Sequence, residues 1–270
     1  MTLPLTFTTG MKPLKLIKYP GSKTVLLPEI SKIFCDSNKS NFVDVFGGSG
    51  VVSLNVEASK TIYNDLNVDL YNLFKVIKEG PNEFLKRAEY WTKSKEEFLR
   101  YGDVLKKVGS INIDEYDKAL RTFYQFNVGF GGMGATYRTR KEKSSYTLMK
   151  RIVTNFKEIS SKVSKWEIEN LDFVKIFEKY DSFNTLFFCD PPYSSKKWYE
   201  YGFSELDLEK LRQITSSIKG KFLITFDNND TAAAAVFGKP NKIVEYENQN
   251  RKKITPTSYR KYSFYWNAEE

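Results

Sequence analysis

Asn184-Thr185-Leu186-Phe187-Phe188-Cys189-Asp190-Pro191-Pro192-Tyr193 decides how this chain is read. The first six residues are largely apolar and rich in aromatic rings, the composition of a short buried strand. That strand ends by delivering a carboxylate, two prolines and a phenol ring. In open α/β sheets, ligands bind in the crevice outside the carboxyl ends of the strands. Proline holds φ near roughly −65° and has no N–H to donate, and it also restricts the residue before it. The sequence therefore predicts that the Asp190 carboxylate and the Pro191 carbonyl point outward as rigid acceptors, with the Tyr193 ring beside them. Two acceptors next to an aromatic plane fit a planar substrate that carries an exocyclic amine. A proline turn that only closes a strand has the same four letters, so the rest of the chain must decide.

Working outward, Lys165–Asn170 reads as a strand that leads to Leu171-Asp172-Phe173. On the other side, Ser204 reads as the N-cap of a helix from Glu205 to Ile218, with Gly220 as its stop. Lys221–Phe226 is another apolar strand. Lys242–Tyr246 and Tyr262–Trp266 read as an antiparallel pair joined by a basic loop that carries Arg251, Lys252, Lys253, Arg260 and Lys261.

The N-terminal part repeats the strand-and-helix alternation. Residues 1–13 have little periodicity and read as an arm. Leu16 to Lys23 forms a turn around Gly21, followed by helical spacing over Thr24–Phe34. Asn41-Phe42-Val43-Asp44-Val45-Phe46-Gly47-Gly48-Ser49-Gly50 reads as a strand, a glycine-rich turn and a helix starting near Val51. Glycines let backbone approach a ligand and adopt positive φ, and a helix N-terminus favours negative charge. The spacing is neither a dinucleotide fingerprint nor a P-loop. Thr61-Ile62-Tyr63 reads as a second strand ending at Asn64-Asp65, where an acid can accept hydrogen bonds from a ribose. This half reads as a site for a nucleoside-type cofactor.

From about Leu73 to Ser164 the strand alternation gives way to polar helices with spaced aromatics. Phe123 to Gly134 then forms an aromatic and glycine-rich stretch leading to Tyr137-Arg138-Thr139-Arg140-Lys141. Arg138, Arg140 and Lys141, with Lys143, Lys150 and Arg151, suit a surface that follows a phosphate backbone. The α/β pattern resumes after this region, so it reads as an insertion.

The totals agree with that organisation. The 270 residues accommodate a large core with a smaller insert. A net charge of +9 points to a polyanionic partner, nucleic acid first. Aromatic content of 16% adds rings able to stack on unpaired bases, beyond those the core uses. Two cysteines and no histidine argue against a disulfide framework or a zinc cluster, and the missing histidine excludes any histidine-based triad within this chain. Cys189 reads as a small buried hydrophobe. No apolar run approaches membrane-spanning length and no signal-peptide core is seen, so a cytoplasmic location without membrane contact is expected.

Tyr19-Pro20-Gly21-Ser22-Lys23, Asp44 to Gly50, Asn64-Asp65 and Asp190 to Tyr193 occur in the order found in Dam-like, D12-class DNA adenine-N6 methyltransferases, which this chain resembles from about Leu16 to Trp266. The resemblance implies a Rossmann-like, S-adenosylmethionine-dependent methyltransferase sheet over 14–75 and 165–270. It also implies an inserted, mostly helical target-recognition domain over 76–164. It implies methyl transfer to the exocyclic N6 of an adenine flipped out of double-stranded DNA, as in restriction–modification, by a metal-free enzyme expected to be monomeric. Tyr19, Lys23 and Asp44 would lie at the cofactor, Phe46 and Gly47, Gly48, Ser49 and Gly50 along its methionine and sugar. Asp65 would take the ribose hydroxyls, Asp172 and Phe173 the cofactor's adenine. Asp190, Pro191, Pro192 and Tyr193 would hold the target base. Arg138, Arg140, Lys141, Arg251, Lys252, Lys253 and Arg260 are the expected DNA contacts. An RNA adenine methyltransferase and a non-catalytic nucleic-acid-binding relative are the alternatives.

Overall fold

A computed structural model describes residues 12–90, 114–128, 155–192, 202–247 and 259–267. The strands in chain order are β1 (Asn41–Asp44), β2 (Lys60–Asn64), β3 (Glu167–Glu169), β4 (Thr185–Cys189), β5 (Lys221–Asp227), β6 (Lys242–Glu247) and β7 (Tyr259–Trp266). They form one seven-stranded sheet in the order β3-β2-β1-β4-β5-β7-β6. The first five in that order run parallel, while β7 is antiparallel to β5 and β6 to β7. The labelled helices are α1 (Leu27–Asp36), α2 (Val51–Asn55), α3 (Val68–Glu79), α4 (Pro81–Tyr90), α5 (Glu115–Val128), α6 (Phe173–Tyr180), α7 (Glu205–Thr215) and α8 (Thr231–Phe237).

β4 is buried at every position, as expected of a central parallel strand covered on both faces. Its side chains alternate between two cores. Leu186 and Phe188 pack with Phe42, Leu223 and Phe264 beneath α1 and α2. Phe187 and Cys189 pack with Val43, Ile62 and Ile224 beneath α6 and α7. A third core joins Leu16, Tyr63 and α3 to Phe84 of α4, Leu120 and Phe123 of α5, Phe156 and Ile159 of the helical residues 155–163, and Trp166. The described helices between β2 and β3 thus pack directly on the sheet's helical layer.

Three local expectations are corrected. The expected Thr24–Phe34 helix begins with a 3₁₀ turn, Thr24–Leu26, and α1 proper starts at Leu27. Pro28 is the cause: with no N–H it cannot bond back to Thr24, and it is tolerated only in a helix's first turn. α7 keeps its expected Ser204 cap, where the Ser204 hydroxyl accepts from Asp207 N–H and the Asp207 carboxylate accepts from Ser204 N–H. It stops at Thr215, however, short of Ile218. The Ser216 and Ser217 hydroxyls donate to the Gln213 and Ile214 carbonyls, competing with the helical ladder. Gly220 therefore does not end the helix. It lies against β4, where a Cβ would come within 2.7 Å of the Thr185 carbonyl oxygen. Arg260 and Lys261 belong to β7 and not to the preceding loop, pairing with Tyr246 and Glu245, because β7 extends three residues beyond the expected Tyr262.

Tyr193, Arg138, Arg140, Lys141, Lys143, Lys150, Arg151, Arg251, Lys252 and Lys253 lie outside the described residues. Among the described residues, no helix is long and apolar enough to cross a membrane.

Candidate active site

The sheet's connectivity reverses direction between β1 and β4, neighbours in the order β2-β1-β4-β5. At such a switch point the loops leaving adjacent strands diverge and open a crevice. Here that crevice is a cavity of about 590 Å³ bordered by Tyr19, Lys23, Asp44, Phe46, Gly47, Gly48, Ser49, Asp65, Asp172, Phe173, Asp190 and Pro192. It falls within the roughly 300–1,000 Å³ of small-molecule and cofactor sites. Gly50, Pro191 and Arg260 are the described site candidates that do not border it.

The turn after β1 is held tightly from behind. The Gly47 N–H donates to the Asn64 carbonyl (2.7 Å), the Tyr63 hydroxyl donates to the Gly48 carbonyl (2.8 Å), and the Gly48 N–H donates to Asp65 Oδ2 (2.7 Å). A Cβ on Gly47 would overlap the Tyr63 ring, and one on Gly50, whose φ is +65°, would lie 2.6 Å from Phe74 Cζ. Both glycines are thus required by the protein's own rings. Tyr63 in turn lies 4.5 Å from Phe74 and 5.7 Å from Trp166 between ring centroids. α2 has only five residues, so the charge preference expected of its N-terminus is small.

Asp65 takes the Gly48 N–H on one oxygen and the Asn67 N–H (2.8 Å) on the other. Burial pushes its carboxyl up to about 6 against those two donors. Asn64 donates to the Val45 and Leu171 carbonyls and accepts from the Leu171 N–H, tying together the exits of three strands. The pair Asn64-Asp65 is the signal that could have revealed this bracing, since Asn64 ends β2 and Asp65 follows it. Asp44 is buried. Its Oδ2 accepts from the Ser53 hydroxyl (2.7 Å), and its Oδ1 has no hydrogen-bond partner. Burial, with smaller contributions from Asp190 and Asp65, raises its carboxyl to about 7.

Asp172 caps α6 by accepting from the Val174 N–H. The next residue, Phe173, meets Phe46 and Phe203 in a three-ring cluster with centroid separations of 5.5–6.0 Å. Phe203 was not among the sequence candidates. Neither were Thr122, Gln125 and Phe126, which α5 contributes to the cavity wall, with Phe126 against Tyr19 at 5.2 Å. The aromatic part of the glycine-rich stretch is therefore the end of a helix built into the site, and Phe123 itself is buried.

Asp190 borders the cavity, but not as a pair of bare acceptors. The Lys23 ammonium lies 2.5 Å from its Oδ2, and the Thr225 hydroxyl donates to its Oδ1 (3.2 Å). Lys23 is 4% exposed, donates also to the Gly21 carbonyl (2.9 Å), and sits 5.8 Å over the Tyr262 ring. Lys23, expected at the cofactor, borders the cavity and is bonded there to the strand-end carboxylate. No local pattern announces a contact between residues so far apart in sequence. Among the described residues, six aspartates and a single lysine line the cavity, an acidic interior in a basic chain.

A seven-stranded mixed sheet with a cavity at its switch point is consistent with a methyltransferase fold. The model of the D12 class N6 adenine-specific DNA methyltransferases matches residues 19–251, and the chain belongs to that family. It is an adenine-specific DNA methyltransferase, and its reaction requires a methyl donor and DNA. It is 24% identical over 236 residues to the type II methyltransferase M1.LlaDCHI of Lactococcus lactis, covering 81% of each chain. It is equally identical to the DNA adenine methylase of Haemophilus influenzae, covering 82% of this chain and 81% of that one. The retron Ec67 DNA adenine methylase of Escherichia coli is 24% identical over 224 residues, with 80% and 78% covered.

Proposed function

We propose that the methyl donor is S-adenosylmethionine, held between the Gly47–Ser49 turn and the Phe46, Phe173 and Phe203 rings, and that the acceptor is an adenine everted from duplex DNA against Asp190. The observation that carries this reading is a continuous cavity touching both the glycine turn and Asp190. The residues fit the donor: an acid-lined pocket favours a cation, and buried Asp44 Oδ1 has an unused acceptor. Asp65 keeps lone pairs for ribose hydroxyls beside the two backbone bonds it accepts. When bound, the donor supplies a methyl group activated by a positively charged sulfur.

The protein's part is to prepare the amine. Adenine N6 is a poor nucleophile because its lone pair is delocalised into the ring. Asp190 Oδ and the Pro191 carbonyl each accept one amine hydrogen, which returns electron density to nitrogen and aims its lone pair. Asp190 then stabilises the charge that develops on nitrogen, and the proton departs after transfer. Most of the acceleration comes from alignment and preorganised acceptors. Eversion is needed because a stacked base is out of reach, at a cost of about a few kcal/mol. Stacking on Tyr193 returns about 1–3 kcal/mol. Arg138, Arg140, Lys141, Arg251, Lys252, Lys253 and Arg260 supply phosphate contacts.

The test is transfer of labelled methyl from S-adenosylmethionine to duplex DNA and to RNA, with nuclease controls and digestion to nucleosides. N6-methyladenine in the DNA arm is expected. Label confined to RNA would transfer the reading to an RNA methyltransferase.

A further inference from the structure

β5 carries Phe222-Leu223-Ile224-Thr225-Phe226, all buried, with Thr225 fully so. A hydroxyl in such a strand is costly unless it is hydrogen-bonded, and valine would fill the same space with better strand packing. Register explains its position. Ile224 pairs with Cys189, so the next residue, Thr225, stands beside Asp190. Its hydroxyl donates to Asp190 Oδ1 at 3.2 Å while Lys23 occupies Oδ2 at 2.5 Å. One donor alone leaves a carboxylate free to swing about that contact. Two donors on separate oxygens, one from the N-terminal turn and one from β5, fix its plane.

We propose that Thr225 is a positioning residue for methyl transfer, setting the rotation of the Asp190 carboxylate through its hydroxyl. This rests on the reading of Asp190 given above. The hydroxyl takes no part in bond making; it restricts Asp190 to orientations in which an acceptor oxygen meets the amine. Its loss therefore acts on the transfer rate and not on binding.

The experiment compares full-length wild type with Thr225→Val, Thr225→Ala, Thr225→Ser and Asp190→Ala. Single-turnover transfer of labelled methyl from S-adenosylmethionine to adenine-unmethylated genomic DNA is measured, with donor affinity by calorimetry. Val and Ala are expected to slow transfer by about tenfold to a hundredfold, with donor and DNA affinity changed less than about twofold. Ser should restore a rate near wild type. Ser and Ala both lack the methyl group and differ only in the hydroxyl, so this pair separates positioning from packing even if Val perturbs the fold. Ala as fast as Ser, with Asp190→Ala inactive, overturns the role of Thr225. An active Asp190→Ala overturns the reading of Asp190 instead.

Discussion

Asp44 shows how a single side chain can be held in tension by its site. Burial, with smaller contributions from Asp190 and Asp65, raises its carboxyl from 3.8 to about 7 against the one hydroxyl donor it takes. A carboxyl raised on folding binds its proton more tightly in the native state. Its contribution to stability is complete below the unfolded value and is lost as pH rises through about 7. Asp65, raised to about 6, has the same sign. Asp44→Asn removes the titration at nearly constant volume. The melting temperature of the variant relative to wild type should therefore climb between about pH 5 and about pH 8. Thermal melts across that range check it, and a difference independent of pH would remove Asp44 from the ledger of titrating groups. The sequence marks Asp44 as a strand-end acid. It does not reveal that the carboxylate has so few donors, because that depends on which neighbours fold around it.

At the scale of elements, the turn after β1 was legible as a strand-to-helix bend and illegible in its supports. Gly47 is sealed by Tyr63, a residue the sequence presents only as the last apolar position of β2. Gly47→Ala should push the Tyr63 ring or the turn outward, costing about 1–3 kcal/mol as overpacking does. It should weaken donor binding in the same variant. Thermal denaturation with calorimetric donor titration tests this, and an unchanged protein by both measures would show the turn to be slack. Element boundaries failed where side chains outbid the backbone pattern: Pro28 delayed α1, and Ser216 and Ser217 shortened α7. The central strands of the sheet were legible because buried parallel strands leave apolar runs. The β6–β7 pair was legible as antiparallel, but the order of the parallel strands was not, since their pairing joins residues far apart in the chain.

The whole molecule separates two kinds of charge. The chain carries +9 overall, suited to a polyanion, while the described residues lining its cavity include six aspartates and one lysine, suited to a small cation. Composition revealed the first and hid the second, because the acids that line the cavity come from segments scattered from Asp44 to Asp207. α5 adds Gln125 and Phe126 to that lining, so helices between β2 and β3 form part of the cavity wall. The account as a whole stands on Asp190 activating the acceptor across that cavity from the donor. The direct measurement is methyl transfer to duplex DNA by Asp190→Ala beside its calorimetric affinity for S-adenosylmethionine. The account predicts that transfer is abolished while donor affinity largely survives, and near-normal turnover by this variant would contradict it.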